Sequence, residues 1–324
     1  MRRPWLAPLV PLYAAGAALC ARGIKVRRLA WPVVSVGNLS AGGAGKTPFT
    51  IALARLLTAR GVGVDVLSRG YGRVAKHAAR VRSDGTAAEF GDEPLLLARA
   101  TGLPVYVAAE RYEAGVMAER EAAPTDGLRV HLLDDGFQHR QLARTVDILL
   151  VNREDWCDAL LPAGNLREPL QGARRANVVV IPAEDAALES ELRAWGWSGP
   201  VWRVRRTMAP PHVAGPAFAF CGIARPGQFF AGLEAAGVTL AGRRAFRDHY
   251  RYNGRDVDAL LGQARAAGAA ALVTTEKDAV RMGALAERFP AELPLRTAGL
   301  ATVIEGEEAA LNWLLARLSA ARAV

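Results

Sequence analysis

An α/β fold, a phosphate-loop parallel sheet with helices on both faces, is what this sequence predicts, and three observations carry the prediction. Apolar, β-branched runs alternate with helical stretches up to about residue 200, the signature of strand–helix–strand units. The first run, Val33-Val34-Ser35-Val36, passes into the glycine-rich turn Gly42-Gly43-Ala44-Gly45-Lys46-Thr47, and a helical pattern (Phe49, Leu53, Leu56, Leu57) follows. The runs also end in polar clusters, where ligands of such sheets bind.

With 324 residues, 51% hydrophobic and 23% charged, the chain is globular, long enough for a large core and two domains. Its net charge is +9, and thirty-seven arginines stand against four lysines (Lys25, Lys46, Lys76, Lys277), so the surviving lysines are informative. A basic surface suits nucleic acid, anionic lipid or a phosphorylated substrate. No nucleic-acid motif with interleaved aromatics appears, which argues against the first. Cys20, Cys157 and Cys221 are too scattered for a disulfide framework or a zinc site and fit a reducing compartment.

In chain order, Trp5 to Ala21 is uncharged, with Arg2-Arg3 before it and Arg22, Lys25, Arg27 and Arg28 after it. A signal peptide is one reading. The favoured one is a membrane-associated segment at residues 1–30, a helix lying on an inner membrane face and anchored by the basic cluster that follows it. Trp5, Leu9, Leu12, Gly16 and Leu19 share a face, the run is shorter than a span, and basic residues follow. Further strands are expected at Val62–Ser68, Val105–Ala108, Val130–Leu133, Val146–Val151 and Val178–Ile181. Near residue 200 the texture changes. Val201–Arg206 alternates, Ala209-Pro210-Pro211 punctuates, and Ala217–Cys221 opens a new strand–helix unit. The expected division is therefore 31–205, joined by a C-terminal helix at 305–324, and a smaller domain at 206–304 whose last strand is Ala271–Thr275.

The chemistry starts at Ser40-Ala41-Gly42-Gly43-Ala44-Gly45-Lys46-Thr47. Glycines let successive backbone N–H groups converge on a polyphosphate, the helix adds its positive end, Lys46 reaches the outer phosphates and Thr47 can hold Mg²⁺. The strict pattern wants Gly where Ser40 stands. Leu132-Leu133-Asp134-Asp135-Gly136-Phe137-Gln138-His139 sets two carboxylates at a strand end, where one should hold the metal. His139 could contact phosphate or cap the loop. Gly91-Asp92-Glu93-Pro94 offers a carboxylate that is equally an ordinary helix N-terminus. Asp248-His249 could meet it from the second domain. Arg167 and Glu168, in Pro162-Ala163-Gly164-Asn165-Leu166-Arg167-Glu168-Pro169, could pair a phosphate-binding guanidinium with a metal-binding carboxylate. Asn152-Arg153-Glu154-Asp155 imitates a guanine-reading motif, with arginine in place of its lysine, and keeps open a GTPase-like or metallochaperone-type binding module.

Together these motifs resemble the tetraacyldisaccharide 4'-kinase family. The resemblance runs through Val36-Gly37-Asn38-Leu39-Ser40, the glycine-rich turn to Pro48, Ser68-Arg69-Gly70-Tyr71-Gly72, Gly91 to Pro94, Asp134 to His139, Leu166 to Pro169, Asp248-His249 and Thr274-Thr275-Glu276-Lys277-Asp278. It implies an inner-membrane-associated enzyme with two α/β lobes joined by a β-ribbon hinge. Using ATP and Mg²⁺, such an enzyme phosphorylates the 4'-hydroxyl of the lipid A disaccharide 1-phosphate precursor. It further implies Asp92 as base with His249 as its partner, Asp134, Asp135 and Glu168 as metal or second-shell carboxylates, and Arg111 as a substrate or phosphate contact. Ser40 is ordinary for that family's loop.

Overall fold

The computed structural model describes residues 3–20, 23–42, 45–124 and 126–322, and a sheet of twelve strands runs through them. The strands are β1 Val33–Asn38, β2 Gly63–Ser68, β3 Ala79–Arg80, β4 Val105–Val107, β5 Arg129–Asp134, β6 Val146–Leu150, β7 Val178–Pro182, β8 Val201–Ala209, β9 Ala217–Cys221, β10 Leu240–Ala245, β11 Ala271–Thr275 and β12 Leu295–Ile304. Their spatial order is β10-β9-β11-β12-β8-β7-β6-β1-β5-β2-β4-β3. From β4 to β8 every neighbouring pair is parallel, as are β10 with β9, β9 with β11, and β11 with β12. Among the described residues, β3 against β4 and β12 against β8 are the antiparallel strand pairs.

The β8–β12 ladder is the ribbon between the two halves. It pairs Ala209 with Gly299 at one end and Val204 with Ile304 at the other. The chain enters the smaller half through β8 and returns through β12. The helix Glu307–Arg322 then packs Leu311, Leu314 and Leu318 into the core of the larger half. Alternation foretells β8, but β10, β12 and β3 exceed the sequence expectation, which ended the strands at Ala271–Thr275. The reason is physical. β10 carries Gly242, Arg243 and Arg244 and is largely unburied, β12 interrupts its alternation at Gly299, and β3 is two residues long. None presents an apolar run.

In the larger half β1 and β6 are buried throughout, as strands covered on both faces must be. The helix Lys46–Ala59 lays Phe49, Leu53 and Leu57 on Val34, Val36 and Leu132. A separate core in the smaller half gathers Phe218, Phe220, Tyr252, Leu260 and Phe289. At Gly37 a side chain is excluded, because a Cβ there would lie 2.6 Å from the Phe137 Cβ and 2.8 Å from its backbone nitrogen. That close approach sets the turn after β5 against the end of β1.

Near the N-terminus a 3₁₀ segment, Pro4–Leu9, leads into the helix Val10–Cys20. Trp5 and Leu12 are 74% and 73% exposed, and Leu9 and Leu19 are also exposed. Among the described residues no helix is long and apolar enough to cross a membrane. Ala21 and Arg22, the end of the uncharged run and the start of the basic cluster, lie outside the described residues.

A buried ionic cluster ties the segment entering β1 to the sheet. His131 of β5 is fully buried, with Nδ1 2.7 Å from Asp65 Oδ1 and Nε2 3.3 Å from Glu119 Oε1. Trp31 stacks on its ring at 5.0 Å, and the Trp31 backbone N–H donates to Glu119. Burial works against the imidazolium, but Asp65 and Glu119 overcome it and raise the His131 pKa from 6.5 to about 9. A raised histidine pKa gives stability that is full below pH 6.5 and lost as the pH climbs through 9. Thermal unfolding should therefore show a loss of roughly 3 kcal/mol between those limits. His131→Gln should flatten that slope, and a slope unchanged in the variant would remove His131 as its source.

Candidate active site

The phosphate loop joins β1 to the helix Lys46–Ala59. Gly42 and Gly45 hold φ of +138° and +78°, in the region that glycine adopts without strain. Gly43 and Ala44 lie outside the described residues. Ala41 donates its backbone N–H to Asn165 O, and buried Ser40 accepts from Asn38 Nδ2 at 2.8 Å. Lys46 Nζ folds back to Asn38 Oδ1 at 3.0 Å, Gly42 O at 3.3 Å and Asp135 Oδ1 at 3.5 Å. Thr47 is buried in the first turn of the helix.

Strand β5, paired directly with β1, delivers the two aspartates, with Val36 opposite Asp134. Asp135 turns away from Asp134 because its backbone is left-handed, φ +49°. Among the described residues His249, at +55°, is the other non-glycine with positive φ, and such residues cluster at functional sites. Asp134 accepts from Thr50 Oγ1 at 3.0 Å. Burial, reinforced by the charges of Glu93 and Asp135, raises its pKa to about 7. Asp135 takes the opposite direction. Burial again raises it, but Lys46 and Arg167 prevail and hold it at about 2.

Arg167 is the organiser of this corner. Its Nη1 and Nη2 fork onto Asp135 at 3.2 and 2.9 Å, Nη2 also reaches Asn38 Oδ1 at 2.8 Å, and Nε donates to Ser40 O at 3.0 Å. The adjacent Glu168 does not join the aspartates. Arg175 forks onto it at 2.8 and 3.0 Å, Arg140 approaches to 3.1 Å and Gln138 Nε2 to 2.9 Å. Its acceptor positions are taken by two guanidiniums and the Gln138 amide, an arrangement that differs from the open carboxylate a metal-ligand role expects. Among the described residues no three His, Cys, Asp or Glu side chains gather as a metal-holding group. The oxygen donors that suit Mg²⁺ are the Thr47 hydroxyl and the Asp134 carboxylate.

Arg111 opens the helix Arg111–Glu121, is buried, and has a buried Nε without a partner. Burial first, then the neighbouring Arg69, lowers its pKa to about 10, while Asp134 and Asp135 attract it. His139 sits within the field of the same arginines. Burial and then Arg111, Arg144 and Arg69 push its pKa down to about 4, so it is neutral at pH 7. Its backbone N–H closes the turn onto Gly136 O, and its C=O accepts from Arg144.

Asp92 begins the helix Asp92–Thr101, and Gly91, not Asp92, occupies the cap position. Gly91 has φ +91°, and a Cβ there would meet Gly70 at 3.1 Å, so two glycine loops cross at this point. The Asp92 carboxylate points across the cleft, with Oδ2 2.6 Å from Arg281 Nε and Nη2 and 3.2 Å from His249 Nδ1. Burial raises its pKa, but hydrogen bonding to His249 and the charge of Arg281 hold it well below the usual carboxylate range. His249 is raised in turn, first by its hydrogen bond to Asp92. Alongside, Lys277 Nζ lies 2.6 Å from Glu93 Oε1. Thr275 caps the helix Glu276–Met282, and buried Asp278 accepts from Tyr252, Thr275 and the Gly222 backbone while fixing Arg281 at 3.1 Å.

Sequence reasoning missed Asn38, Gln138 and Arg281 as site residues. Asn38 had a readable signal, a polar side chain ending a fully buried strand. Arg281, one of thirty-seven arginines, had none. The Asn152 to Asp155 stretch is not a base reader here. Asn152 caps a short helix by accepting from the Asp155 N–H, and Arg153 pairs with Asp185 and Glu191.

A phosphate loop, a carboxylate pair on the adjacent strand and a cleft closed by a second α/β unit define a P-loop phosphotransferase. The sequence model of the tetraacyldisaccharide-1-P 4'-kinase family matches residues 2–319, and the chain belongs to that family, whose members phosphorylate a sugar hydroxyl. The tetraacyldisaccharide 4'-kinase of Koribacter versatilis is 43% identical over 324 residues, covering 95% of this chain and 97% of the relative. That of Geobacter metallireducens is 42% identical over 288 residues, 82% of each. The crystal structure of LpxK from Aquifex aeolicus, an "apo" form in complex with ATP, superimposes with a TM-score of 0.76 at 31% identity, covering 97% of this chain and 98% of that one.

The Glu168 ion pairs yield a discriminating test. Glu168→Gln leaves two guanidiniums short of a partner and should destabilise the protein by about 1–3 kcal/mol. The Mg²⁺ concentration giving half-maximal turnover should stay unchanged. A tenfold rise in that concentration with unaltered melting would return Glu168 to the metal.

Proposed function

We propose that this kinase transfers the γ-phosphoryl group of Mg-ATP to the 4'-hydroxyl of the tetraacyldisaccharide 1-phosphate precursor of lipid A, working at the inner membrane surface. The observations that carry the reading are the Lys46–Asp135–Arg167 corner beside the phosphate loop and the Asp92–His249 pair, whose neighbour Glu93 acts on Asp134. The loop Ser40–Thr47 binds the polyphosphate. Thr47 and Asp134 would hold Mg²⁺, which would supply positive charge to the outer phosphates. Lys46 and Arg167 stabilise the transferred group. Asp92 accepts the hydroxyl proton once Arg281 yields its place, because the arginine makes the carboxylate too weak a base while it stays. His249 orients it, and Arg111 and neutral His139 contact the phosphorylated substrate. The residues fall into an N-terminal membrane segment (1–30), an ATP-binding domain (31–205 with 305–324) and a smaller domain (206–304).

Purified protein incubated with Mg-ATP and the disaccharide 1-phosphate lipid should yield a lipid heavier by one phosphate, and an unmodified lipid with ATP intact would overturn the reading. Lys46→Ala and Thr47→Ala should each lower kcat/KM by about 10² or more while melting normally. Asp92→Asn and His249→Ala should each lower kcat by about 10² with modest change in the KM for ATP. If the two act as a unit, the double variant is barely slower than either single one.

The exposed Trp5, Leu9, Leu12 and Leu19 and the basic residues after them support binding to an anionic lipid surface. Removing residues 1–22 should release the protein from vesicles. It should also reduce turnover of long-chain lipid more than that of a detergent-dispersed analogue, and equal losses on both would argue against a membrane role.

A further inference from the structure

The helix Val10–Cys20 has a side that membrane binding leaves unused. Val10, Tyr13, Ala14 and Ala17 are half-buried and recur at the spacing of one helix face, whereas Trp5, Leu9, Leu12 and Leu19 are exposed. One stripe is open to the surroundings and the other is turned to the protein. On the protein side the N-terminal segment makes two hydrogen bonds to a single loop. The Tyr13 hydroxyl donates to the Arg167 backbone carbonyl at 3.0 Å, from 154 positions away in the chain. The Arg3 backbone N–H donates to Ala163 O at 2.6 Å.

The loop held in this way is the one that presents Arg167. It lies antiparallel beside the residues that follow β1, where Ser40 bridges Leu166, the Arg167 N–H donates to Leu39 O at 2.7 Å and the Ala41 N–H donates to Asn165 O at 2.7 Å. Within the loop Asn165 Nδ2 donates to Asp158 at 2.7 Å, and Gly164 packs so tightly that a Cβ would collide with the Ala159 backbone. A loop this well tied to itself moves as a piece, so its seat is decided by the contacts at its edge. At Arg167 the backbone is held from two sides, its N–H by Leu39 and its C=O by Tyr13. The guanidinium of the same residue forks onto Asp135 and reaches Asn38 and the Ser40 carbonyl. Because the peptide unit is planar, turning the Arg167 carbonyl also turns the Cα from which that side chain springs.

We propose that Tyr13 is a positioning residue for Arg167, so that the N-terminal helix, besides meeting lipid, sets the guanidinium against Asp135 and Ser40 and thereby supports phosphoryl transfer. The proposal rests on the phosphotransfer reading above, in which Arg167 stabilises the transferred group. A tyrosine suits the task, since its apolar ring packs in the half-buried stripe while its hydroxyl supplies one directed hydrogen bond. Positioning of a charge-stabilising group matters most in the transition state, where small misplacements are costly. Loss of the hydroxyl therefore acts on kcat even where no bilayer is present, which loss of a plain anchor does not.

The test uses the full chain with Tyr13→Phe, Arg167→Ala and the double variant, assayed on detergent-dispersed disaccharide 1-phosphate lipid, with binding to phosphatidylglycerol vesicles measured alongside. Tyr13→Phe should lower kcat about fivefold, the scale of one hydrogen bond, with the KM for lipid and vesicle binding as in the wild type. The double variant should be no slower than Arg167→Ala alone, because the hydroxyl acts through that arginine. An unchanged kcat in Tyr13→Phe overturns the proposal. So does a full fivefold loss added on top of Arg167→Ala, which would place the effect elsewhere. A raised KM or weakened vesicle binding at constant kcat would make Tyr13 a lipid contact only, and the proposal fails again. Should Tyr13→Phe melt early, the same cycle is read at a temperature where all variants are folded, and additivity there still overturns the proposal. A wild-type protein that adds no phosphate to the lipid would overturn the phosphotransfer reading itself, a result distinct from failure of the variants.

Discussion

The fork between Arg167 and Asp135 is the interaction on which the site depends. Two consecutive carboxylates at a strand end repel, and burial adds to the cost of ionising both. The left-handed backbone of Asp135 separates them. One turns to Thr50 and keeps a high pKa, while the other turns to Arg167 and Lys46 and stays charged. Arg167 then spreads the constraint, because the same guanidinium binds Asn38 and the Ser40 carbonyl and so ties a remote loop to the phosphate loop. Lys46, by contrast, stands 3.5 Å from Asp135. That pairing is looser than that of the shorter, forked arginine, which holds the frame.

Across the cleft the two halves meet largely through charge. The start of the helix Asp92–Thr101 offers Asp92 and Glu93, and the helix Glu276–Met282 answers with Lys277 and Arg281, joined by His249. Val280 adds apolar contact with the core of the larger half. The pairs differ in exposure. Lys277, Glu93 and His249 are partly open to water and are individually weak. Arg281 and Asp92 are each only 6% exposed, so separating them without a replacement partner leaves a buried charge unmatched.

Several parts of this arrangement are determined by sequence alone. The β-branched run before a glycine-rich turn is dictated locally, because strand propensity, glycine φ freedom and the following helical period all lie within about twenty residues. The aspartate pair after β5 and the closing helix are legible for the same reason. Strands β10 and β12 are not, since they are stabilised by pairing with distant neighbours and carry little apolar patterning of their own. The ambiguity of Asp92 likewise ends only in three dimensions. Its sequence context fits a helix cap, and tertiary packing instead turns the carboxylate toward residues more than 150 positions away.

Glu168 marks the same boundary from the other side. Its place beside Arg167 suggests a metal ligand, yet Arg140, Arg175 and Gln138 reach it first. Which cation a carboxylate meets depends on the routes of separate chain segments, and sequence spacing does not encode those routes. The amino-acid sequence by itself determined the type of sheet, the phosphate loop and the inventory of charged groups, because these follow from local backbone preference and composition. The tertiary structure alone decided which charges pair, which carboxylate stays protonatable and which arginine faces the loop. Electrostatic energy depends on distance and burial, and only the folded chain sets them.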